Sequence, residues 1–313
     1  MQSKLYILAV MLAGLVIVNV LFIMDSSQKN NLANAEPTFN SYQAYVLPIS
    51  EPSYFPIYDS NPPAGGEKPV LDAKAGLVYD TRSGRFLFDK NTRIKLPVAS
   101  LTKILSAVVV LENLDTKEAV VIPKEVLKVD EEKQSLYLDE EITVQNLLKL
   151  MLIESSNDAA YALAWYANSK GVNFVDKMNE KAQLLNMIDS HFLDPAGLND
   201  DAYSTAEDLV KLVKYSLKYD SIWEILTEKS IVVKSTDGKI EHKAESTDQL
   251  LGVIPDIFGG KTGYTDGALG CMILVVDIPD KNDKLISIVL GSRSRFDDTK
   301  KLVDWVKESY RWE

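Results

Sequence analysis

Between Lys4 and Asp25 the chain runs for twenty residues, Leu5–Met24, without a charge and with Asn19 as its one strongly polar side chain. As a helix, a run of that length spans about 30 Å, the hydrocarbon thickness of a bilayer. This segment is therefore expected to enter a membrane. It exceeds the apolar core of an ordinary secretory signal, and the small-x-small triplet Ala33-Asn34-Ala35 lies well beyond it. An uncleaved anchor is favoured over a signal cleaved near Ala35. Lys4 is the only charge on the N-terminal flank, which places the N-terminus in the cytoplasm and everything after Asp25 outside the cytoplasmic membrane.

Residues 25–69 read as a tether. Seven of the chain's 12 Pro fall there among Ser, Asn and Gly, without apolar periodicity, and such a stretch buries too little to order itself. The interleaved Tyr42, Tyr45, Tyr54 and Tyr58 could dock on a folded domain, but a solvated spacer is the reading preferred. The net charge of −11 over 313 residues argues against nucleic acid as a partner. Cys271 is the only cysteine, and His191 and His242 are the only histidines. No intramolecular disulfide is available, no metal site or cofactor is supported, and a hydrolase built from this chain is expected to use a base other than histidine. His191 reads as a loop hydrogen-bonder, His242 as part of a polar Lys/Glu-rich stretch, and Cys271 as a small core residue.

A compact domain is expected over residues 70–313. Ala75–Asp80 and Arg85–Asp89 flank Thr81-Arg82-Ser83-Gly84 and read as a hairpin. Pro97 suits a first helical turn, and Leu101, Ile104, Leu105, Val108 and Leu111 recur at helical spacing, giving a helix over Val98–Asn113. Further helices are expected over Val144–Ile153, Ala159–Asn168, Asn173–Leu185, Thr205–Tyr219 and Asp297–Tyr310. Strands are expected over Ser230–Lys234, Cys271–Ile278 and Leu285–Gly291. Strands at both ends with helices inserted between them predict an α+β domain with a mainly antiparallel sheet.

Ser100-Leu101-Thr102-Lys103 opens the first apolar helix. Positions three apart share a helix face, so Lys103 can reach the Ser100 hydroxyl and supply the base that histidine supplies elsewhere. Ser-x-x-Lys arises roughly once by chance in a chain of this length, and Ser26-Ser27-Gln28-Lys29 in the tether is such an occurrence. Ser100 differs in standing at a helix start, where backbone N–H groups favour developing negative charge. The alternative readings are an N-terminal helix residue for Ser100 and a solvent-facing charge for Lys103. Ser155-Ser156-Asn157 sits between two helical patterns, where a helix N-cap is the ordinary role. Lys261-Thr262-Gly263 follows Gly259-Gly260, where a β-turn is.

Taken in order, Ser-x-x-Lys, Ser-x-Asn and Lys-Thr-Gly resemble the motif triplet of penicillin-binding proteins and serine β-lactamases. The surroundings narrow the likeness. Pro97-Val98-Ala99-Ser100-Leu101-Thr102-Lys103, Ser156-Asn157-Asp158-Ala159, Tyr203-Ser204-Thr205-Ala206-Glu207-Asp208 and Gly260-Lys261-Thr262-Gly263-Tyr264-Thr265 resemble the low-molecular-mass D-alanyl-D-alanine carboxypeptidases, over about Lys74 to Trp312. Ser156 replaces the Asp usual at the middle of the β-lactamase motif, and no Glu-x-x-Leu-Asn string lies between Asn157 and Lys261.

The resemblance implies helices around a five-stranded sheet and acyl transfer from the terminal D-Ala-D-Ala of a peptidoglycan stem peptide. Ser100 would be the nucleophile and Lys103 its base. Ser155 with Lys261 would relay a proton to the leaving amine, and Asn157 would bond Lys103 and the substrate amide. The backbone N–H groups of Ser100 and Tyr264, beside Gly263, would hold the oxyanion. Thr262 and Arg295, preferred to Arg293, would receive the substrate carboxylate. β-Lactams are the implied inhibitors. Two alternatives stay open: an endopeptidase or weak β-lactamase of the same chemistry, and an inactive, membrane-tethered wall-binding protein.

Overall fold

The computed structural model describes residues 56–59, 67–129, 135–279, 281 and 283–313. The expected anchor Leu5–Met24, the triplet at Ala35 and the Ser26-x-x-Lys29 sequence lie outside them. Among the described residues no helix is long and apolar enough to cross a membrane.

The centre is an antiparallel five-stranded sheet formed by β2 (Ala75–Asp80), β3 (Phe86–Lys90), β8 (Ile257–Thr265), β9 (Leu269–Ile278) and β10 (Asp283–Ser292), in the order β3-β2-β10-β9-β8. Side chains alternate between its faces. Leu77, Ile273, Val275, Ile286 and Ile288 join a core shared with the helices, whereas Val78, Leu285 and Val289 join a second one against the C-terminal helix α7 (Arg295–Ser309), through Leu302, Trp305 and Val306. Burial on both faces explains why β9 reads as a near-continuous apolar run.

The helical region comprises α1 (Thr102–Asn113), α2 (Val144–Ile153), α3 (Asn157–Ser169), α4 (Phe174–Leu184), α5 (Ala206–Ser216) and α6 (Asp220–Thr227). Helix α1 is buried over Thr102–Val110, the behaviour of a helix that is apolar nearly all round. Two short sheets flank the domain, β4 (Ala119–Val121) with β5 (Glu141–Thr143) and β6 (Ser230–Lys234) with β7 (Glu241–Glu245).

The structure departs from the sequence reading at three places that matter for the site. The helix expected from Val98 starts as a 3-10 turn, Ala99–Leu101, and becomes α-helical only at Thr102. Lys261–Gly263 lies inside strand β8 and is not a turn. Within the stretch read as a spacer, Pro56–Tyr58 forms β1, which pairs with β11 (Tyr310–Trp312), and the Tyr58 ring stacks near Trp305 and Tyr310. The spacer reading therefore fails at those residues, because the last helix leaves a strand and two aromatic rings for them to cover.

Candidate active site

The first wall of the site comes from the 3-10 turn. Ala99 adopts φ +47°, a sparsely populated conformation for a residue with a Cβ, and this turns Ser100 toward an open cleft. The loop Asp194–Asn199 lies against the turn. A Cβ on Gly197, which has φ +76°, would stand 2.0 Å from the Ala99 carbonyl oxygen, so only glycine permits the approach. Asp194 folds the loop by accepting from the backbone N–H groups of Ala196, Gly197, Leu198 and Asn199 at 2.7, 2.6, 3.2 and 2.9 Å.

Lys103 is fully buried at the base of this wall, so its reading as a solvent-facing charge does not hold. Its Nζ donates to Ser100 Oγ at 2.7 Å, to Asn157 Oδ1 at 2.7 Å and to the Ala196 carbonyl at 3.1 Å. The arrangement has a chemical consequence. Asn157 Oδ1 and the Ala196 oxygen are acceptors only. A neutral amine that gives its two hydrogens to them keeps its lone pair for the third neighbour, the Ser100 hydroxyl. That geometry can draw the hydroxyl proton onto Lys103.

The second wall is the α2–α3 connection. Glu154 follows the last residue of α2, Ser155 takes φ +65°, and Ser156 caps α3 by accepting from the Ala159 N–H at 3.0 Å. The N-cap role expected within Ser155–Asn157 thus falls to Ser156 alone. The left-handed Ser155 reverses the chain and leaves both Glu154 and Ser155 on the cleft, while Asn157 opens α3 toward Lys103.

The third wall is β8, an outer strand of the sheet. A Cβ on Gly263 would meet the Ser100 nitrogen at 2.9 Å and the Val98 carbonyl at 3.0 Å, so glycine lets the strand close on the turn that carries Ser100. Thr262 Oγ1 lies 2.6 Å from Thr247 Oγ1. Lys261 is buried behind it, with Nζ donating to the Thr262 carbonyl at 3.1 Å. Burial, helped by the Arg295 cation, pushes the Lys261 ammonium down to about 7, against an opposing pull from Asp248. Arg295, from the start of α7, lines the cleft beside Thr262.

The structure brings Ser100, Ser155, Asn157, Thr262, Gly263, Tyr264 and Arg295 around one cleft of about 180 Å³. Lys103 bonds to two of the lining side chains, Ser100 and Asn157, from the protein side, and Lys261 is buried behind a third, Thr262. Glu154, Leu198 and Thr247 complete the lining; these, with Asp194 and Asp248, were not singled out from sequence, since no short motif marks them. Arg293 borders a neighbouring depression rather than this cleft, and its backbone N–H donates to Asp72. Cys271 is buried in β9 with its thiol pushed up to about 11 by burial, an unreactive state. Within its polar Lys/Glu-rich stretch His242 is nevertheless buried and faces the buried Glu140 carboxylate, which raises its proton affinity.

Comparison with known proteins gives a consistent set of likenesses. The family model described as D-alanyl-D-alanine carboxypeptidase matches residues 63–294. The chain is 31% identical to the D-alanyl-D-alanine carboxypeptidase DacF of Bacillus subtilis (strain 168), covering 76% of this chain and spanning 63% of that relative's length. It is 28% identical to the D-alanyl-D-alanine endopeptidase of Escherichia coli (strain K12), covering 77% of this chain and 79% of that one. Among solved structures it resembles a Streptomyces DD-transpeptidase with a TM-score of 0.71 and 28% identity, over 77% of this chain and 99% of that one.

Proposed function

This chain belongs to the D-alanyl-D-alanine carboxypeptidase family, and from that premise we propose that it is a serine acyl-enzyme hydrolase that removes the terminal D-Ala from peptidoglycan stem peptides and is acylated by β-lactams. The observation that carries the reading is the buried Lys103 amine, held 2.7 Å from Ser100 Oγ with two carbonyl-type oxygens orienting it. Ser100 attacks the penultimate D-Ala carbonyl and Lys103 takes its proton. The N–H groups of Ser100 and Tyr264 receive the oxyanion, a contribution typically of about 3 kcal/mol per donor. Ser155, supplied by Lys261, protonates the departing D-Ala amine, and water then hydrolyses the ester. Arg295 and Thr262 hold the free C-terminal carboxylate by charge-assisted bonds.

A second reading, an endopeptidase cutting peptide cross-links, is favoured by the likeness to the endopeptidase of E. coli. Release rates from a stem pentapeptide and from a cross-linked dimer, measured side by side, decide between them. We further propose that Leu5–Met24 holds the domain on the outer face of the cytoplasmic membrane. One experiment tests site and location together: intact-mass analysis of protein from the native cell after benzylpenicillin. A full-length, membrane-fraction product with its adduct on Ser100 is expected. No adduct on folded protein overturns the site, and a released product starting at Glu36 overturns the anchor.

A further inference from the structure

The mechanism leaves one cleft-lining charge unused. Glu154 shares the cleft with Ser100, Ser155, Thr262 and Arg295, yet it has the opposite sign from the lysines and the arginine there. It comes from the helical side of the cleft, at the C-terminal end of α2, whereas Arg295 comes from the sheet side, at the start of α7. Its place is held firmly. The Thr247 N–H donates to the Ile153 carbonyl at 3.2 Å, the Ser156 N–H donates to the Leu150 carbonyl at 3.2 Å, and the Ser135 hydroxyl donates to Glu154 Oε1 at 2.6 Å.

The surroundings favour a cation at this carboxylate. Among the described residues no lysine or arginine forms an ion pair with Glu154, and the α2 C-terminus adds the negative end of a helix dipole. Burial raises the Glu154 proton affinity and Asp158 adds to it, while the Ser135 hydroxyl bond and the nearby His242 pull it back. A partly desolvated carboxylate at the C-terminal end of a helix, with Asp158 close by and a histidine, His242, as its nearby titratable base, gains from a full positive charge brought to it from the cleft. The cleft thus offers an anion-receiving group on one wall and a cation-receiving group on another.

We propose that Glu154 is a specificity-determining residue that receives an alkylammonium group of the acyl-donor peptide, upstream of its D-Ala-D-Ala terminus, while Arg295 receives the terminal carboxylate. This inference rests on the carboxypeptidase reading above. It assigns to the site a preference for stem peptides whose diamino acid carries a free amine over those in which that amine is acylated.

The test compares two peptides on the full-length protein: Nα-acetyl-L-Lys-D-Ala-D-Ala, with a free side-chain amine, and its Nα,Nε-diacetyl counterpart. Wild type is expected to favour the free amine by about tenfold in kcat/KM, the effect of one ion pair of moderate strength, and to lose most of that preference in high salt. In E154Q the ratio of kcat/KM between the two peptides falls toward one, chiefly through a higher KM for the free amine. Penicillin acylation of E154Q, read by intact mass, reports that the variant is folded. Equal use of both peptides by a wild type that forms the penicillin adduct overturns the subsite and leaves the carboxypeptidase reading standing. So does an equal loss on both peptides in an E154Q protein that still forms the adduct. Absence of both adduct and D-Ala release from folded wild type overturns the two readings together. Should E154Q fail to fold, the wild-type preference and its salt dependence decide the matter alone.

Discussion

Lys103 and Lys261 are both buried at the site, and the helical side and the sheet side of the cleft treat the same ammonium group differently. On the helical side, Lys103 has three oxygen neighbours drawn from α3, the Asp194 loop and its own turn. On the sheet side, the Lys261 amine donates to the Thr262 carbonyl at 3.1 Å and has a guanidinium nearby. Equal burial therefore does not mean equal chemistry. Acceptors orient the Lys103 amine toward a hydroxyl, whereas burial and Arg295 poise Lys261 near neutral pH as a group that exchanges a proton readily.

The most severe way to break this comparison is to remove the oriented amine. Lys103→Ala is expected to lower the rate of penicillin acylation by about 10³-fold, since both the base and the orientation of Ser100 go with it. The fold should survive, because alanine suits a helix and leaves no charge behind. Stopped-flow acylation, with circular dichroism as the control on folding, gives the result. Acylation near the parent rate would move the base role to another group, Lys261 being the nearest candidate.

A smaller effect concerns the pH at which Lys261 works. Its folded-state value of about 7 lies below the ordinary lysine value of 10.5. If Lys261 supplies the proton that Ser155 passes on, kcat/KM falls as pH rises through about 7, the value of the free enzyme. If Arg295 receives the substrate carboxylate as proposed, the same limb moves upward in kcat, because the bound carboxylate offsets the cation that depresses Lys261. Stability carries the matching sign. Between about 7 and 10.5 the unfolded chain binds more protons at this lysine than the folded one, so the free energy of unfolding, and with it stability, increases with pH across that window. Lys261→Met should remove that part of the rise in a urea titration run at several pH values. A pH profile flat through neutrality would separate Lys261 from proton transfer.

The finest test changes Lys261's neighbours in opposite directions. Arg295→Gln removes a charge that lowers the Lys261 value and should shift its titration upward; Asp248→Asn removes one that raises it and should shift it downward. The Lys261 side-chain signals, followed by NMR against pH in protein labelled at lysine, report both. Shifts of the same sign would mean that rearrangement, not charge, governs the group.

Much of the fold was legible because its signals are local. The apolar repeat over Val144–Ile153 and the β-prone run Ser230–Lys234 have the bounds read from sequence. Helix α6, whose buried Ile222, Trp223 and Leu226 are a local helical signal, was passed over, whereas strand β7 was missed for a reason outside its own segment. Strand β7, Glu-His-Lys-Ala-Glu, buries His242 and Ala244 and exposes the residues between. Such a strand is stable because Glu140, distant in the chain, faces His242, and nothing near His242 in sequence announces that partner. In β8 the glycines of Gly-Gly-Lys-Thr-Gly imitate a turn. Gly263 is there so that the strand can approach Ser100, a contact that exists only in the folded molecule.

By itself the sequence determined most of the longer helices, several strands, the order of the three motifs and the pairing of Ser100 with Lys103, because helical and strand periodicity and the reach between residues three apart are properties of neighbouring residues. Tertiary structure alone decided that Lys103 is buried between two carbonyl-type oxygens, that Lys261 sits next to Arg295, and that Glu154 shares a cleft with both walls of the site. Those outcomes depend on groups that meet across the core. Burial, electrostatic fields and hydrogen-bond completion are set by what surrounds a side chain in space, and chain distance carries little of that information.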